Sequence, residues 1–232
     1  MGIFKGLTEL IAGDGLIDLT DKAIKGLDKA IAAREKKIEE KIQSFLEANP
    51  DHCHLFASQV RNKLKETYYI YDHQKEARYL IKGELLSLKH HLHVYDASGK
   101  TELATVTEKL IAIRSPFSVD SNPKDFVIEV GGKPVGKVKT KGSFTKQKFD
   151  ITFNDWTVIG DVFGKEYKVL DKNKNIIMVA SKQYAYINDT YYVDITNPKD
   201  ELYCVLILLA LDASTTTKSD ETKKAIKKKI RF

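Results

Sequence analysis

The most apolar stretch of the chain lies near its C-terminal end, where Leu202–Leu211 contains no charged residue. Asn197 suits the N-cap of a helix and Pro198 suits its first position, so the pattern predicts a helix over residues 198–212 that ends at Asp212. A helix that is apolar on every side must be buried on every side. The apolar run spans about 15 Å, only half of the hydrocarbon core of a bilayer. We therefore predict a helix in the core of the protein and not a membrane span.

Between about residue 55 and this helix, short β-rich runs alternate with turn residues every ten to fifteen positions. The segment before Thr67 fits either a strand or a helix. Six hairpins account for the remainder. They pair Thr67–Tyr71 with Ala77–Ile81, His91–Tyr95 with Leu103–Val106, Phe126–Val130 with Val135–Val138, Asp150–Phe153 with Thr157–Ile159, Tyr167–Leu170 with Ile176–Val179, and Tyr184–Ile187 with Tyr191–Ile195.

Twelve antiparallel strands form a sheet so wide that it has to curl or close to protect its edges. A closed barrel of this size is too wide for side chains alone to fill. The apolar helix is about as long as a strand of five or six residues, so it suits the interior. The sequence thus predicts an α+β protein, in which a twelve-stranded closed antiparallel β-barrel surrounds a hydrophobic C-terminal helix.

The first fifty residues have helical periodicity. Residues 1–17 carry apolar positions at helical spacing, which suits docking on the protein itself, on a partner or in a membrane interface. A second helix extends from Thr20 to Asn49-Pro50. Its apolar stripe either packs along the main domain or forms a homodimer or protein-partner contact. The residues of this candidate contact are Ile24, Leu27, Ile31, Ile38, Ile42 and Phe45. The predicted domains are a helical appendage at 1–50, the barrel at 51–215 and a tail at 216–232.

The net charge of +6 belongs mostly to the tail, where seven basic residues face only Asp220 and Glu221. Such a cluster can bind an anionic leaflet, or it can be a solvated terminus. Nucleic acid ranks third because Phe232 is the only aromatic residue of the tail. The candidate residues for anionic phospholipid are Lys223, Lys224, Lys227, Lys228, Lys229 and Arg231.

The remaining candidates for chemistry are weak. Gly131–Val138 resembles a phosphate-binding loop but lacks the Ser or Thr after its lysine, and a hairpin turn explains it better. The histidines of His52-Cys53-His54 and His90–His93 are read as surface residues, since no second cluster completes a metal site. With no catalytic motif in the sequence, we predict no enzyme, no metal and no cofactor. Two cysteines and no secretory signal predict a reducing, cytoplasmic setting.

The hairpins and the terminal helix together resemble the bacterial branch of the LURP-one-related family, which is grouped with the tubby C-terminal domain and the phospholipid scramblases. The resemblance covers roughly residues 55–214 and implies a twelve-stranded barrel threaded by a hydrophobic helix, with Leu55–Asn62 as the first strand. The phrases that carry it are Tyr69-Ile70-Tyr71-Asp72, Ile81-Lys82-Gly83-Glu84-Leu85-Leu86-Ser87-Leu88, His93-Val94-Tyr95-Asp96, Gly160-Asp161-Val162-Phe163, Tyr191-Tyr192-Val193-Asp194-Ile195 and Leu211-Asp212-Ala213.

For function, the resemblance implies less. Tubby-type members bind phosphoinositides through basic barrel residues and scramblases act at membranes, but no position here matches those residues or a scramblase calcium site. The leading hypothesis is a non-enzymatic barrel that associates peripherally with anionic phospholipid, with the inner membrane face as its surface. The alternative is a protein-interaction module that uses the N-terminal helices. An apolar ligand inside the barrel is a third reading, which the buried helix should largely exclude.

Overall fold

The computed structural model of the protein describes residues 33, 36, 40, 42–62, 65–83, 90–109, 124–143, 146–160, 166–184 and 189–214. By its backbone contacts the chain divides into two units, residues 1–48 and residues 49–232. In the first unit, residues 42–48 form a helix (α1) whose half-buried side chains are Ile42, Phe45 and Leu46. The spacing of these three residues gives α1 one apolar face.

The second unit is a closed barrel of twelve antiparallel strands, in which each strand pairs with its neighbours in sequence and β1 pairs with β12. This confirms the predicted fold. The strands are β1 Cys53–Asn62, β2 Lys65–Asp72, β3 Ala77–Gly83, β4 His91–Asp96, β5 Glu102–Lys109, β6 Asp125–Val130, β7 Lys133–Ser143, β8 Lys146–Ile151, β9 Thr157–Gly160, β10 Glu166–Leu170, β11 Ile176–Tyr184 and β12 Asp189–Ile195.

Alternation along each strand separates the barrel interior from its outer face. In β4, for example, Leu92 and Val94 are buried in the core, while the flanking His91 and His93 are half-buried on the outer face. The inward positions are almost all apolar, so closing the sheet gathers them around one axis.

The predicted helix fills that axis. A 3-10 turn at Pro198–Asp200 leads into an α-helix at residues 201–214 (α2), and the Asn197 side chain caps the turn by accepting from the Lys199 amide at 3.1 Å. Every residue of α2 from 204 to 214 is buried. The prediction of a core helix is confirmed. Among the described residues, no helix is long and apolar enough to cross a membrane.

Two local predictions were wrong. The final hairpin does not start a new strand at Tyr184, because Tyr184 is the last residue of β11 and pairs with Asp189 of β12; residues 185–188 lie outside the described part. The twelfth strand is instead β1, which pairs with both β2 and β12. Strand β8 is also shifted, because it covers Lys146–Ile151 where Asp150–Phe153 was predicted.

The meander gives the barrel two different rims. One rim is where the odd-numbered strands end and the even-numbered strands begin, and we call it the exit rim. We call the opposite rim the turn rim. The five connections at the turn rim are short turns. In three of them an aspartate side chain at or just after the strand end accepts backbone amides, and each turn contains a residue with positive φ. These aspartates are Asp72, Asp96 and Asp171.

The Gly131-Gly132 pair forms another of these turns. Both glycines have positive φ, at 57° and 72°, and they join β6 to β7. A tight hairpin turn requires two consecutive residues in the left-handed region, and glycine adopts this conformation without strain. The hairpin interpretation of the segment that resembles a phosphate-binding loop is therefore confirmed.

We expect Leu206→Ala to lower the free energy of unfolding by about 2–5 kcal/mol, because Leu206 is fully buried at the centre of α2 and truncation leaves a cavity. Urea unfolding followed by circular dichroism measures this change. Ile176→Ala is the control: its side chain is 47% exposed, so its effect should stay within about 0.5 kcal/mol. Equal effects of the two substitutions would contradict a helix packed in the barrel core.

Candidate functional site

The end of α2 is fixed by a buried carboxylate. Asp212, which is 2% exposed, accepts hydrogen bonds from the Tyr68 hydroxyl at 2.9 Å and the Tyr191 hydroxyl at 2.6 Å. The ammonium of Lys182 lies 3.6 Å from the same carboxylate and 5.2 Å from the Tyr191 ring centre. The prediction that the helix ends at Asp212 was wrong, because the helix continues to Ser214. The Asp212 carboxylate is tolerated inside the barrel because Lys182 and the two tyrosine hydroxyls stabilise its charge.

This cluster lies against the negative end of the helix dipole, where a carboxylate by itself is unfavourable. The lysine and the two hydroxyls offset that cost and also the desolvation of the charge. Tyr68, Lys182 and Tyr191 all lie near the exit rim, because they are close to the start of β2, the end of β11 and the start of β12. The cluster thus fixes the C-terminal end of α2 at the exit rim.

The start of α2 is held by a second buried carboxylate. Glu201 receives two hydrogen bonds from the Arg78 guanidinium, from Nε at 3.2 Å and from Nη2 at 3.0 Å. The Cys53 thiol donates to the same carboxylate at 3.4 Å, and the Tyr79 hydroxyl also bonds to it. Negative charge in the first turn agrees with the helix dipole, and the two-pronged arginine contact fixes the direction of the side chain.

These surroundings make the thiols unreactive. Burial, and then the negative charge of Glu201, raise the pKa of Cys53 to about 12. Burial also raises the pKa of Cys204 well above its ordinary value. The thiolate is the nucleophilic form, so both cysteines stay protonated and inert near neutral pH. Burial, followed by Glu201, raises the pKa of Tyr79 in the same way.

A third polar cluster lies on the outer face of β1 and β12. His52 Nδ1 is 2.8 Å from Asp194 Oδ1, and His54 Nδ1 is 2.8 Å from the Tyr192 hydroxyl. The other nitrogen of His54 is 2.8 Å from the carbonyl of Asn49. His54 is 3% exposed, so its interpretation as a surface histidine was wrong. The cluster holds the segment from Asn49 to His52, which precedes β1, against the outer face of β1.

No described residue of these clusters is arranged for catalysis or metal binding. The two thiols are protonated, both nitrogens of His54 have partners, and the described part of the chain contains no group of three or more metal-ligating side chains. What the clusters do is anchor: they fix both ends of α2 and the segment that precedes β1.

The sequence-predicted site residues fall mostly elsewhere. The tail candidates (Lys223, Lys224, Lys227, Lys228, Lys229 and Arg231) and four of the helix candidates (Ile24, Leu27, Ile31 and Ile38) lie outside the described residues. Ile42 and Phe45 lie on the apolar face of α1. Sequence reasoning missed the carboxylate anchors. Lys182 could have been found, because it follows the buried Met178 and Ala180 at the same alternation and so points into the barrel.

We expect Asp212→Ala to lower the free energy of unfolding by about 3–5 kcal/mol, because it leaves the Lys182 ammonium inside the barrel without this carboxylate. Asp212→Leu combined with Lys182→Met should be less destabilising than the sum of the two single changes, by at least about 1 kcal/mol. A urea-unfolding double-mutant cycle measures the coupling. Strictly additive effects would show that the two charges do not depend on each other.

Comparison with known proteins identifies the family of this chain. Residues 54–212 match the family described as LURP-one-related. The chain is 30% identical over 168 residues to the uncharacterized protein YxjI of Bacillus subtilis strain 168, covering 72% of this chain and 97% of that protein. An X-ray structure of a protein from Arabidopsis thaliana has a TM-score of 0.45 and 15% sequence identity, covering 68% of this chain and 90% of that one. The family match and the Bacillus relative show that this chain belongs to the LURP-one-related family.

Proposed function

We propose that the protein is a non-enzymatic, tubby-like barrel that associates peripherally with anionic phospholipid surfaces through its C-terminal tail. The observation that carries the proposal is the concentration of seven basic residues within residues 216–232, against two acidic ones. These residues follow directly on a helix whose last turn is fixed inside the barrel at Asp212. The basic segment therefore follows in sequence on a helix that ends at the exit rim.

The strength of such an attraction can be estimated. A basic residue close to an anionic leaflet contributes about 1 kcal/mol, and the contribution falls off within a Debye length of roughly 8–10 Å at physiological salt. Several such residues are enough for reversible association without a membrane-spanning segment. Salt should weaken this association strongly, since the contact is exposed charge against exposed charge.

The setting we propose follows from the same features. The two cysteines are unpaired, as expected for a reducing compartment. A cytoplasmic protein with a basic tail meets anionic lipid at the inner face of the membrane. The clusters described above hold parts of the barrel domain together, and none of their described residues supplies a reactive nucleophile. This supports a non-enzymatic role.

Vesicle flotation tests the tail. The full-length protein should float with anionic vesicles of phosphatidylglycerol and phosphatidylcholine at low salt and be released at high salt. A chain that ends at Ser214, and a full-length variant with Gln at Lys223, Lys224, Lys227, Lys228 and Lys229, should lose most of this binding, because each removes the charge. Neutral phosphatidylcholine vesicles are the control.

Unchanged binding of both variants would contradict the tail as the membrane contact. The glutamine variant guards against an effect of chain length, because it keeps the tail at its full length. Circular dichroism should show that both variants retain the barrel.

A second candidate function is supported by α1. Ile42, Phe45 and Leu46 form an apolar face on a helix that belongs to a unit separate from the barrel by its backbone contacts. Together with the predicted stripe from Ile24 to Ile38, this face suits a helix of a second copy or of a protein partner. In this reading, the N-terminal helices contact the second copy or the partner protein.

For the homodimer version, we expect light scattering after gel filtration to give twice the mass of one 26.3 kDa chain. Replacing Ile42 and Phe45 with Ser should give the monomer mass, because it removes two apolar contacts from the helix face. Replacing the exposed Gln43 and Glu47 with Ser is the matched control on the other face and should leave the mass unchanged. A monomeric full-length protein would exclude the homodimer.

A further inference from the structure

The outer face of β2 and β4 carries aromatic side chains at positions where a water-facing sheet usually carries polar ones. Because residues alternate along a strand, Tyr69 and Tyr71 lie on the outer face of β2, and His93 and Tyr95 lie on the outer face of β4. Tyr69 is 37% exposed, and the other three side chains are half-buried. Neighbouring exposed rings on the surface of a domain mark a candidate interaction site.

The rings form one column on each of the two strands. The ring centres of Tyr69 and Tyr71 are 6.2 Å apart and their planes differ by 19°. Those of His93 and Tyr95 are 6.4 Å apart and differ by 28°. Strand β3 lies between β2 and β4, so the two columns are about 10 Å apart, twice the spacing of neighbouring strands. The columns are therefore the walls of a groove that follows β3.

The outward side chains of β3 form the floor of this groove. Leu80 pairs with Tyr69 on one side and with Tyr95 on the other. The Lys82 ammonium lies 4.7 Å from the centre of the Tyr95 ring, so it covers part of that wall. A Cβ atom at Gly99 would lie 2.9 Å from Leu80 Cδ2, so the turn between β4 and β5 packs against the floor. We call this surface the aromatic groove, and its residues are Tyr69, Tyr71, Leu80, Lys82, His93 and Tyr95.

A carboxylate lies beside the β4 wall. Glu102 of β5 pairs with Tyr95 and accepts a hydrogen bond from its hydroxyl. Glu102 Oε2 is also 2.8 Å from His93 Nδ1. The Glu102 side chain is nevertheless 43% exposed, so its charge is accessible from outside the barrel. Negative charge at this edge suits a basic residue of a partner.

We propose that the aromatic groove binds a proline-rich segment of a partner protein in the polyproline II conformation, with a basic residue of that segment beside Glu102. Aromatic walls are the usual binding surface for such segments. A polyproline II segment is already extended before it binds, so it loses little conformational entropy on docking. This inference is independent of the basic tail and of the N-terminal helices.

Other ways of binding a protein segment suit this surface less well. Addition of a β-strand needs a free sheet edge, whereas the described strands form a closed ring. An amphipathic helix needs a hydrophobic groove, whereas hydroxyl groups, an imidazole and an ammonium group line this one. A phosphorylated segment needs a cluster of arginines, whereas Lys82 is the one groove residue with a fixed positive charge.

Hydrogen-bond donors in the groove also fit a polyproline II segment. Such a segment has no internal hydrogen bonds, so its carbonyl oxygens accept from water or from the protein that binds it. Partial burial, and then the neighbouring Tyr69, raise the pKa of Tyr71. Its hydroxyl therefore stays protonated near neutral pH and can donate. The Lys82 ammonium provides further donors on the floor.

Peptide selection tests the inference without a known partner. Phage that display random twelve-residue peptides would be selected on the full-length protein, after removal of phage that bind the double variant Tyr69→Ala and Tyr95→Ala. The selected peptides should contain several prolines together with an arginine or lysine. Groove-dependent peptides without proline would show that the proline assignment is wrong, and the absence of any groove-dependent peptide would overturn the groove as a peptide site.

The affinity of a selected peptide, measured by fluorescence anisotropy, locates the contact. Tyr69→Ala and Tyr95→Ala should each raise the Kd about tenfold. Tyr69→Phe keeps the ring, so it should stay within about threefold of the original Kd. Ile159→Ala is the matched control, because Ile159 is exposed on β9, six strands from β3 in either direction. An equal loss in this control would contradict binding in the groove. Circular dichroism should show that all variants retain the barrel.

The basic residue of the peptide is tested at the same time. Glu102→Gln should raise the Kd about fivefold for the selected peptide, because it removes the charge that faces the basic residue. The same substitution should not change the Kd of a peptide in which glutamine replaces that basic residue. Equal effects on both peptides would show that Glu102 does not contact the basic residue.

Binding of a sugar chain is the remaining outcome, because sugars also stack on aromatic rings. If no groove-dependent peptide is selected, but glycogen or xylan in a native gel slows the original protein and not the double variant, the groove is a sugar site and the assignment to a protein partner is wrong.

Discussion

A wide barrel has to be filled, and this constraint governs the structure of the protein. Twelve strands closed into a ring leave an interior that their own inward side chains cannot occupy, so a second element has to pass through it. Only a helix that is apolar on all sides can do so, because it satisfies its own backbone hydrogen bonds and has no face that needs water. Leu202–Leu211 is the segment of the chain with this property.

Apolar packing alone does not determine in which direction such a helix runs through the barrel or how deep it lies, since hydrophobic contacts are not directional. The two carboxylates supply what packing lacks. Glu201 is held by Arg78 at one end and Asp212 by Tyr68, Tyr191 and Lys182 at the other. Removing either set would leave buried charge without its partner, so only one register of the helix satisfies both ends.

Much of this fold could be predicted because its signals are local. Alternation of polar and apolar residues, together with turn residues, identified most strands, and the apolar run identified the helix. The errors arose where long-range pairing decides. Tyr184 could not be assigned to β11 without knowing that β11 pairs along its length with β12, and β1 was placed only by the family resemblance.

The candidate site was harder to predict because the sequence gives the total charge of a segment but not which charged side chains meet in the fold. Asp212 looked like the end of a helix, since its partner Lys182 is thirty residues earlier in the chain and meets it only inside the closed barrel.

Polar anchors thus occur on both faces of the sheet. Glu201 and Asp212 lie inside the barrel at the two ends of α2. The cluster of His54, Tyr192 and Asp194 instead lies on the outer face of β1 and β12, where it is buried and holds the segment that leads into β1. Because the pairing of β1 with β12 closes the barrel, the anchors act at the two features that local sequence patterns do not determine: the depth of the central helix and the strand pair that closes the ring.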